Sequence, residues 1–222
     1  MKLIFLIALQ CYFALFSRET NEALRFIEKN ATVIRKNLSG LSPEERLMAM
    51  AIVAPEISQY SSVSNFMEMR ALFISYRNFG RGDFSVGHFQ MKPSFIEDLE
   101  KEIRSDKQLS GRYKQNLPSG SDIEKRETRL ERLASLEWQL KYLQVFIDVV
   151  KIKTRNLKFK SAEEKLKYWA TLYNSGFHSN QQRVASMQKK NYFPRGSKKF
   201  NYSDVALEFY TELSKKRSLF QN

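Results

Sequence analysis

The chain is 222 residues long, and with 42% hydrophobic and 27% charged residues it is neither a disordered chain nor a bundle of membrane-spanning helices. Eight Gly and five Pro favour long helices, while two His and one Cys exclude a disulfide scaffold and argue against a metal site. The formal net charge of +13 indicates an anionic partner, such as nucleic acid, an acidic membrane surface or a bacterial envelope.

The first seventeen residues have the pattern of a secretory signal peptide. Lys2 supplies a positive end, an apolar run extends from Leu3 to Phe16, and Ser17 is a small residue at a possible cleavage point. The run is shorter than the ~20 residues that a membrane-spanning helix needs. We therefore expect export to the periplasm or cell envelope, with an uncleaved N-terminal anchor as the alternative. Cleavage would remove Cys11.

The remaining sequence predicts one helix after another, because apolar residues recur at helical spacing. No segment alternates over the length of a strand, so we predict a mainly α fold. The predicted helices cover residues 21–38, 47–54, 65–76, one opening at Pro93, 123–152, one starting at Ser161, and 203–214; residues 77–86 and 106–122 are predicted to be loops.

Three local signals mark helix ends. Ser42 with Glu45, and Ser161 with Glu164, have the spacing of capping boxes at helix N-termini. Pro55 should end or kink the apolar helix before it, since proline has no backbone N–H to continue the ladder.

Glu56 follows that apolar helix directly. Apolar neighbours and the negative end of a helix both disfavour the charged form of a carboxyl group. A carboxyl that stays protonated near neutral pH is what a general acid requires. Glu56 is therefore a candidate catalytic acid, although a solvated loop glutamate is the alternative interpretation.

Two later segments carry polar groups in turn-like settings. In residues 83–93, Gly87 permits a close backbone approach and Gln90 brings both a hydrogen-bond donor and an acceptor. In residues 170–176, Tyr173 and Asn174 precede Gly176, which suits a helix C-terminus. Each segment alone also fits an ordinary turn or helix end.

The three segments together resemble the superfamily of lytic transglycosylases and goose-type lysozymes, which share a lysozyme-like fold. Members carry a catalytic Glu after a buried helix, then Gly-x-x-Gln, then Ala-Tyr-Asn-x-Gly. The corresponding residues here are Glu56, the segment from Gly87 to Gln90, and the segment from Leu172 to Gly176, while Tyr202 resembles the tyrosine of the family's last motif. The resemblance spans residues 43–210.

The resemblance implies a single lysozyme-like helical domain over residues 42–214. A signal peptide (1–17) and a helix (18–41) would precede it, and a basic tail (215–222) would follow. It implies cleavage of peptidoglycan glycan strands between N-acetylmuramic acid and N-acetylglucosamine by a monomer without cofactor or metal. Glu56 would be catalytic. The residues implied in substrate binding are Ser58, Ser85, Gly87, Gln90, Tyr173, Asn174 and Tyr202.

Two alternatives stay open within this resemblance. A lysozyme-like hydrolase needs a second carboxylate to activate water or act as a nucleophile, and Asp83 is the acid nearest the second segment. A catalytically inactive peptidoglycan-binding protein is the other alternative, because Ile57 stands where the family has Ser directly after the Glu. Nucleic-acid binding would suit the charge, but an exported protein does not meet the chromosome, so we expect no nucleic-acid partner. Peripheral association with the anionic envelope is compatible with the charge.

Overall fold

A computed structural model of the chain describes residues 18–60 and 62–221, with the side chains of residues 62–65 left out of the description. The chain is mainly helical, as predicted. The helices are α1 (18–29), α2 (Ala31–Asn37), α3 (Pro43–Gln59), α4 (Ser62–Phe79), α5 (Pro93–Ser105), α6 (Lys107–Tyr113), α7 (Asp122–Ala134), α8 (Leu136–Lys153), α9 (Ala162–Ser175), α10 (Gln181–Met187) and α11 (Tyr202–Ser214). Strands β1 (Phe193–Arg195) and β2 (Lys198–Phe200) form an antiparallel hairpin, and 3₁₀ turns lie at Lys114–Asn116 and Arg217–Phe220.

The chain divides into two compact units. The first contains the described residues up to 32, residues 46–59 and residues 159–221; the second contains residues 33–45 and 60–158. In the first unit α9 packs against α11, and Trp169 and Phe209 are fully buried. In the second unit α5 packs against α6, α7 and α8, and α4 packs against α7, with Leu99 and Phe146 in the core. Among the described helices none is long and apolar enough to cross a membrane. The predicted signal peptide lies outside the described residues.

The capping signal at the start of α3 is confirmed. The Ser42 backbone N–H donates to the Glu45 carboxylate at 2.9 Å, and the Glu45 N–H donates to the Ser42 hydroxyl at 3.3 Å. The similar signal at α9 is only half realised. Ser161 caps the Glu164 N–H, but the Glu164 carboxylate accepts from the backbone of Lys160 instead.

Of the two effects predicted for Pro55, an end or a kink, the end does not occur: α3 continues to Gln59 with Pro55 inside it, so the helix predicted over residues 47–54 is too short. A proline within a helix removes one hydrogen bond of the ladder and crowds the carbonyl four residues earlier. The turn is fixed from outside the helix: the Tyr202 hydroxyl donates to the Ile52 carbonyl at 2.9 Å. The Ser58 hydroxyl also donates to the Pro55 carbonyl at 2.7 Å. Glu56 therefore lies in the last turn of α3 rather than after it.

The single long helix predicted over residues 123–152 is also wrong, since Ser135 separates α7 from α8. Ser135 has extended backbone angles, φ −99° and ψ 124°. The Gln139 side chain donates to the Leu133 carbonyl at 2.5 Å. In a continuous helix this carbonyl would accept from the backbone N–H four residues later. The apolar spacing continues through the break, so periodicity alone could not reveal it.

The predicted surface connection over residues 106–122 contains α6 and a 3₁₀ turn. Asp106 begins α6, because its carboxylate accepts from the backbone N–H groups of Gln108 and Leu109. Leu109 and Tyr113, four residues apart, are both buried. The helix predicted over residues 21–38 is likewise interrupted, at Asn30, between α1 and α2. The helix opening at Pro93 and the last helix are confirmed as α5 and α11.

The end of the chain packs back on its own unit. Phe220 is fully buried, and its carbonyl accepts from the guanidinium of Arg46 at 2.9 Å. The residues grouped in the sequence as a basic tail thus include a packed 3₁₀ turn.

Candidate active site

In the first unit, Glu56 is surrounded by tyrosines from three other segments. Glu56 comes from the last turn of α3 and is partly exposed. Tyr173 lies near the end of α9, Tyr192 directly precedes β1, and Tyr202 is the first residue of α11. The charge of Glu56 raises the pKa of each of these tyrosines, after the larger effect of burial. The structure therefore brings together three residues singled out from the sequence, Glu56, Tyr173 and Tyr202.

The pKa of Glu56 is raised to about 7. Burial is the largest cause, because the ionised carboxylate loses water that its surroundings do not replace. A hydrogen bond with the Tyr202 side chain acts in the opposite direction and lowers the pKa. Among the described residues no cation contributes to the shift. A substantial fraction of Glu56 is thus protonated at neutral pH, as the apolar sequence around it predicts.

The Tyr202 hydroxyl lies between two acceptors. It donates to the Ile52 carbonyl at 2.9 Å and is also hydrogen-bonded to Glu56. A hydroxyl has one proton and two acceptor lone pairs. When Glu56 is protonated, Tyr202 can donate to Ile52 and accept from the carboxylic acid. When Glu56 is ionised, the same proton can turn to the carboxylate. Tyr202 is therefore built to accommodate both states of Glu56.

Tyr202 is held in place by its own neighbours. Asn201 caps α11 by accepting from the backbone N–H of Ser203 at 2.9 Å. The Asn201 amide also donates to the carbonyls of Met187 and Lys190 at 2.9 and 2.8 Å. The ring of Phe193 meets the ring of Tyr202 edge to face, with centroids 5.1 Å apart. A fully buried Tyr202 is thus a positioned polar group within a packed core.

Asn174 is paired with a residue that sequence reasoning missed. The Tyr192 hydroxyl donates to the Asn174 side-chain oxygen at 2.6 Å. This bond leaves the Asn174 amide N–H₂ available as a donor and fixes its direction. Tyr192 stands in a polar, basic stretch of sequence with no periodicity, so only its aromatic character could have marked it. Gly176 ends α9 at φ +94°, as its position in the sequence suggested.

Ser58, also singled out, uses its hydroxyl proton within α3. The donation to Pro55 at 2.7 Å leaves only the lone pairs of the oxygen for another partner. The structure therefore supports a local helical role for Ser58.

The second unit holds the Gly87–Gln90 segment as a tight turn. Val86 and Met91 pair across it through two backbone hydrogen bonds of 3.0 and 3.1 Å. Gly87 has φ +76° and Gln90 has φ +49°, which is unusual for a residue with a side chain. The Gln90 side-chain amide donates to the Gly87 carbonyl at 2.8 Å, and among the described residues its oxygen has no hydrogen bond. The turn thus presents the Gln90 oxygen as an acceptor.

The backbone approach that Gly87 permits is made by Gln139 of α8. A Cβ at position 87 would lie 1.5 Å from the Gln139 side-chain nitrogen and 2.8 Å from the Leu133 carbonyl oxygen. The Gln139 side-chain oxygen accepts from the Phe89 backbone N–H at 2.9 Å. Glycine is therefore required at position 87 by packing inside the second unit.

The remaining residues of this segment have modest roles in the second unit. Ser85 is partly exposed and precedes the paired Val86. The ring of His88 lies 4.1 Å from the ring of Tyr60, and burial lowers its pKa. Phe89 and Met91 are buried core residues. No group of three His, Cys, Asp or Glu able to hold a metal ion occurs within residues 18–60 and 62–221.

Asp83 serves the start of α5. Its carboxylate accepts from the Ser94 backbone N–H at 3.0 Å and from the Ser94 hydroxyl at 2.8 Å. The Lys92 ammonium lies 3.8 Å away. Both carboxylate oxygens are therefore engaged at the N-terminal turn of this helix, where a negative charge is favourable.

Comparison with family models, with curated proteins and with solved structures gives no match to this chain.

Proposed function

We propose that the chain is an exported peptidoglycan lytic transglycosylase in which Glu56 acts first as acid and then as base. The observation that carries the proposal is the partly exposed Glu56, whose pKa is raised to about 7 among tyrosines in the first unit. A carboxyl group with this pKa can give and take a proton near neutral pH with nearly equal ease.

The reaction needs one carboxyl group. Protonated Glu56 gives its proton to the glycosidic oxygen, and the bond from that oxygen to C1 of the muramic acid breaks. The resulting carboxylate then takes the proton of the C6 hydroxyl of the same sugar, and O6 closes onto C1 as a 1,6-anhydro ring. The proton returns to Glu56, and no water is consumed. The hydroxyl of Tyr202 suits this cycle because it can pair with either state of Glu56.

The surroundings of Asp83 support this route over hydrolysis. A hydrolase with Asp83 as its second carboxylate would use that group to activate water or to attack the sugar. Here both oxygens of Asp83 accept hydrogen bonds from Ser94, which gives this carboxylate a local structural role at the start of α5. Of the residues that the resemblance assigns to the sugars, Asn174 belongs to the same unit as Glu56, and its amide N–H₂ is suited to bind a hydroxyl or acetamido group.

The test is the Glu56→Gln variant on purified sacculi. Glutamine keeps the size of the side chain but cannot donate the acid proton, so we expect release of soluble muropeptides to fall by at least ~10³-fold. Unchanged circular dichroism would show that the fold survives. Glu68→Gln on α4 is a matched control outside the tyrosine cluster that Tyr173, Tyr192 and Tyr202 form around Glu56. This variant should release muropeptides at the wild-type rate. Substantial activity in Glu56→Gln would remove Glu56 from the catalytic role, and an inactive wild type would favour a binding protein.

A further inference from the structure

The outer face of α4 carries an unusual row of exposed apolar side chains. Phe66, Met67, Phe73 and Ile74 lie on one side of the helix. Residues seven positions apart are separated by nearly two full turns, and adjacent residues by about 100°. Their exposed fractions are 58% for Phe66, 63% for Met67, 54% for Phe73 and 63% for Ile74. The opposite side of α4 holds the buried Leu72 and Tyr76 and packs against α7 in the second unit.

Arginines are interleaved with these apolar residues. The guanidinium of Arg70 lies over the ring of Phe66, and that of Arg77 over the ring of Phe73, each 5.6 Å from the ring centroid. Arg77 also pairs with Glu127 at 2.5 Å. Arg70 has no acidic partner among the described residues. The order Phe66, Arg70, Phe73, Arg77 has spacings of four, three and four, so aromatic and cationic groups alternate along one line of the helix.

The charged residues on this side of α4 are positive. Arg70 and Arg77 both lie within about 40° of Phe66 around the helix axis. The acid of α4 itself, Glu68, is two residues from Phe66 and so points about 200° around the helix, away from the row. A face of this size that combines apolar, aromatic and cationic groups marks an interaction surface.

We propose that this face of α4, formed by Phe66, Met67, Arg70, Phe73 and Ile74, lies on the surface of an anionic phospholipid bilayer. Aromatic and aliphatic side chains would enter the boundary between headgroups and acyl chains, while the arginines pair with lipid phosphates. A bilayer surface suits both the apolar and the cationic side chains of this face, because acyl chains and negatively charged headgroups lie within a few ångströms of each other there.

The charges of the face argue against the other occupants. In a symmetric dimer through α4, the same patch would meet itself and bring the arginines of one copy against those of the other. A wholly apolar partner would bury Arg70 without a counter-charge, which is unfavourable. An anionic lipid surface supplies that counter-charge. The face runs along the length of α4, so the helix axis would lie parallel to the bilayer surface.

The experiment places an environment-sensitive fluorophore on the full chain in a Cys11→Ser background. Met67→Cys carries the probe on the α4 face, and Ile123→Cys carries it at an exposed apolar position on α7 as the matched control. With vesicles containing phosphatidylglycerol, we expect a blue shift and quenching by brominated lipid at position 67 but not at position 123. Vesicles of phosphatidylcholine alone should give a much smaller response. Because the probe reports its own position, attachment through the N-terminal segment does not imitate this result.

A second measurement tests the face itself. Phe73→Asp/Ile74→Asp should reduce partitioning onto phosphatidylglycerol vesicles by roughly tenfold or more, whereas Ile123→Asp should leave it unchanged. Circular dichroism checks that the variants are folded, since all three positions are exposed. The proposal is overturned if the probe at position 67 stays in water while the chain sediments with the vesicles. It is also overturned if the double variant abolishes a dimer seen by light scattering without changing vesicle binding. Neither readout depends on glycan cleavage.

Discussion

At the level of single residues, the proposed chemistry depends on how burial and one hydroxyl group change the pKa of Glu56. Burial raises the pKa of the carboxyl to about 7, and the Tyr202 hydrogen bond opposes that shift. The positions of Tyr202 and Asn174 depend in turn on Asn201 and Tyr192, whose hydrogen bonds hold them. A glutamate in ordinary solvent would be almost fully ionised at pH 7 and would be a poor acid.

The raised pKa also predicts how stability depends on pH. In the unfolded chain Glu56 titrates near its ordinary pKa of 4.5, whereas in the folded protein its pKa is about 7. Ionisation of Glu56 therefore costs more free energy in the folded protein than in the unfolded chain. The stabilising contribution of neutral Glu56 is complete below about pH 4.5 and is lost as the pH rises through 7. Glu56→Gln never ionises, so its free energy of unfolding relative to wild type should increase between pH 4.5 and 8. Because the Glu56 residue as a whole is partly exposed, the full effect of the pKa shift is reduced, and we expect about 2 kcal/mol. Urea unfolding at the two pH values measures this, and an unchanged difference would show that Glu56 has an ordinary pKa.

At the level of elements, the Gly87–Gln90 turn and the break between α7 and α8 depend on each other. Gln139 donates to the Leu133 carbonyl at the break and accepts from Phe89 in the turn. The two features lie about fifty residues apart in the sequence. One side chain thus stabilises a helix end and a turn together.

A glycine substitution tests that coupling. Gly87→Ala would place a Cβ 1.5 Å from the Gln139 nitrogen and 2.8 Å from a backbone carbonyl, at a positive φ. We expect it to lower the free energy of unfolding by about 2–4 kcal/mol. Gly111→Ala is the matched control, because Gly111 lies within α6 with open space around it, and should be neutral or stabilising by up to ~1 kcal/mol. Equal stabilities of the two variants in thermal unfolding would contradict the packing described for Gly87.

The start of α5 gives a second test at this level. Asp83→Asn keeps an oxygen that can accept from the Ser94 N–H, so the variant should fold like the wild type. Its rate of muropeptide release should stay within a few-fold of the wild-type rate. Asp83→Ala removes both hydrogen bonds to Ser94 and should cost about 1 kcal/mol of stability. If Asp83 instead served a hydrolase as base, Asp83→Asn would lower turnover by the 10²–10⁴-fold typical of a lost general base.

At the level of the whole molecule, the parts that sequence could predict are those decided by near neighbours. The mainly helical class, the Ser42–Glu45 capping box and the glycine end of α9 all depend on residues within one or two turns. The apolar sequence before Glu56 likewise predicts that the pKa of its carboxyl group is raised.

The parts that sequence could not predict depend on distant partners. Pro55 was expected to end or kink its helix, but α3 continues to Gln59, and its Ile52 carbonyl accepts from Tyr202, 150 residues away in the chain. Tyr192 joins the tyrosine cluster only because the chain between α10 and β1 returns to α9, and nothing in its local sequence shows this. The hairpin of β1 and β2 is too short, at three residues a strand, to give an alternating pattern.

In the proposed reaction Glu56 alone closes a 1,6-anhydro ring without water. Mass spectrometry of muropeptides released from sacculi in H₂¹⁸O distinguishes this ring closure from hydrolysis. We predict anhydromuramoyl ends that carry no ¹⁸O, together with loss of all products in Glu56→Gln. Reducing muramic acid ends labelled with ¹⁸O would contradict the claim and indicate a hydrolase.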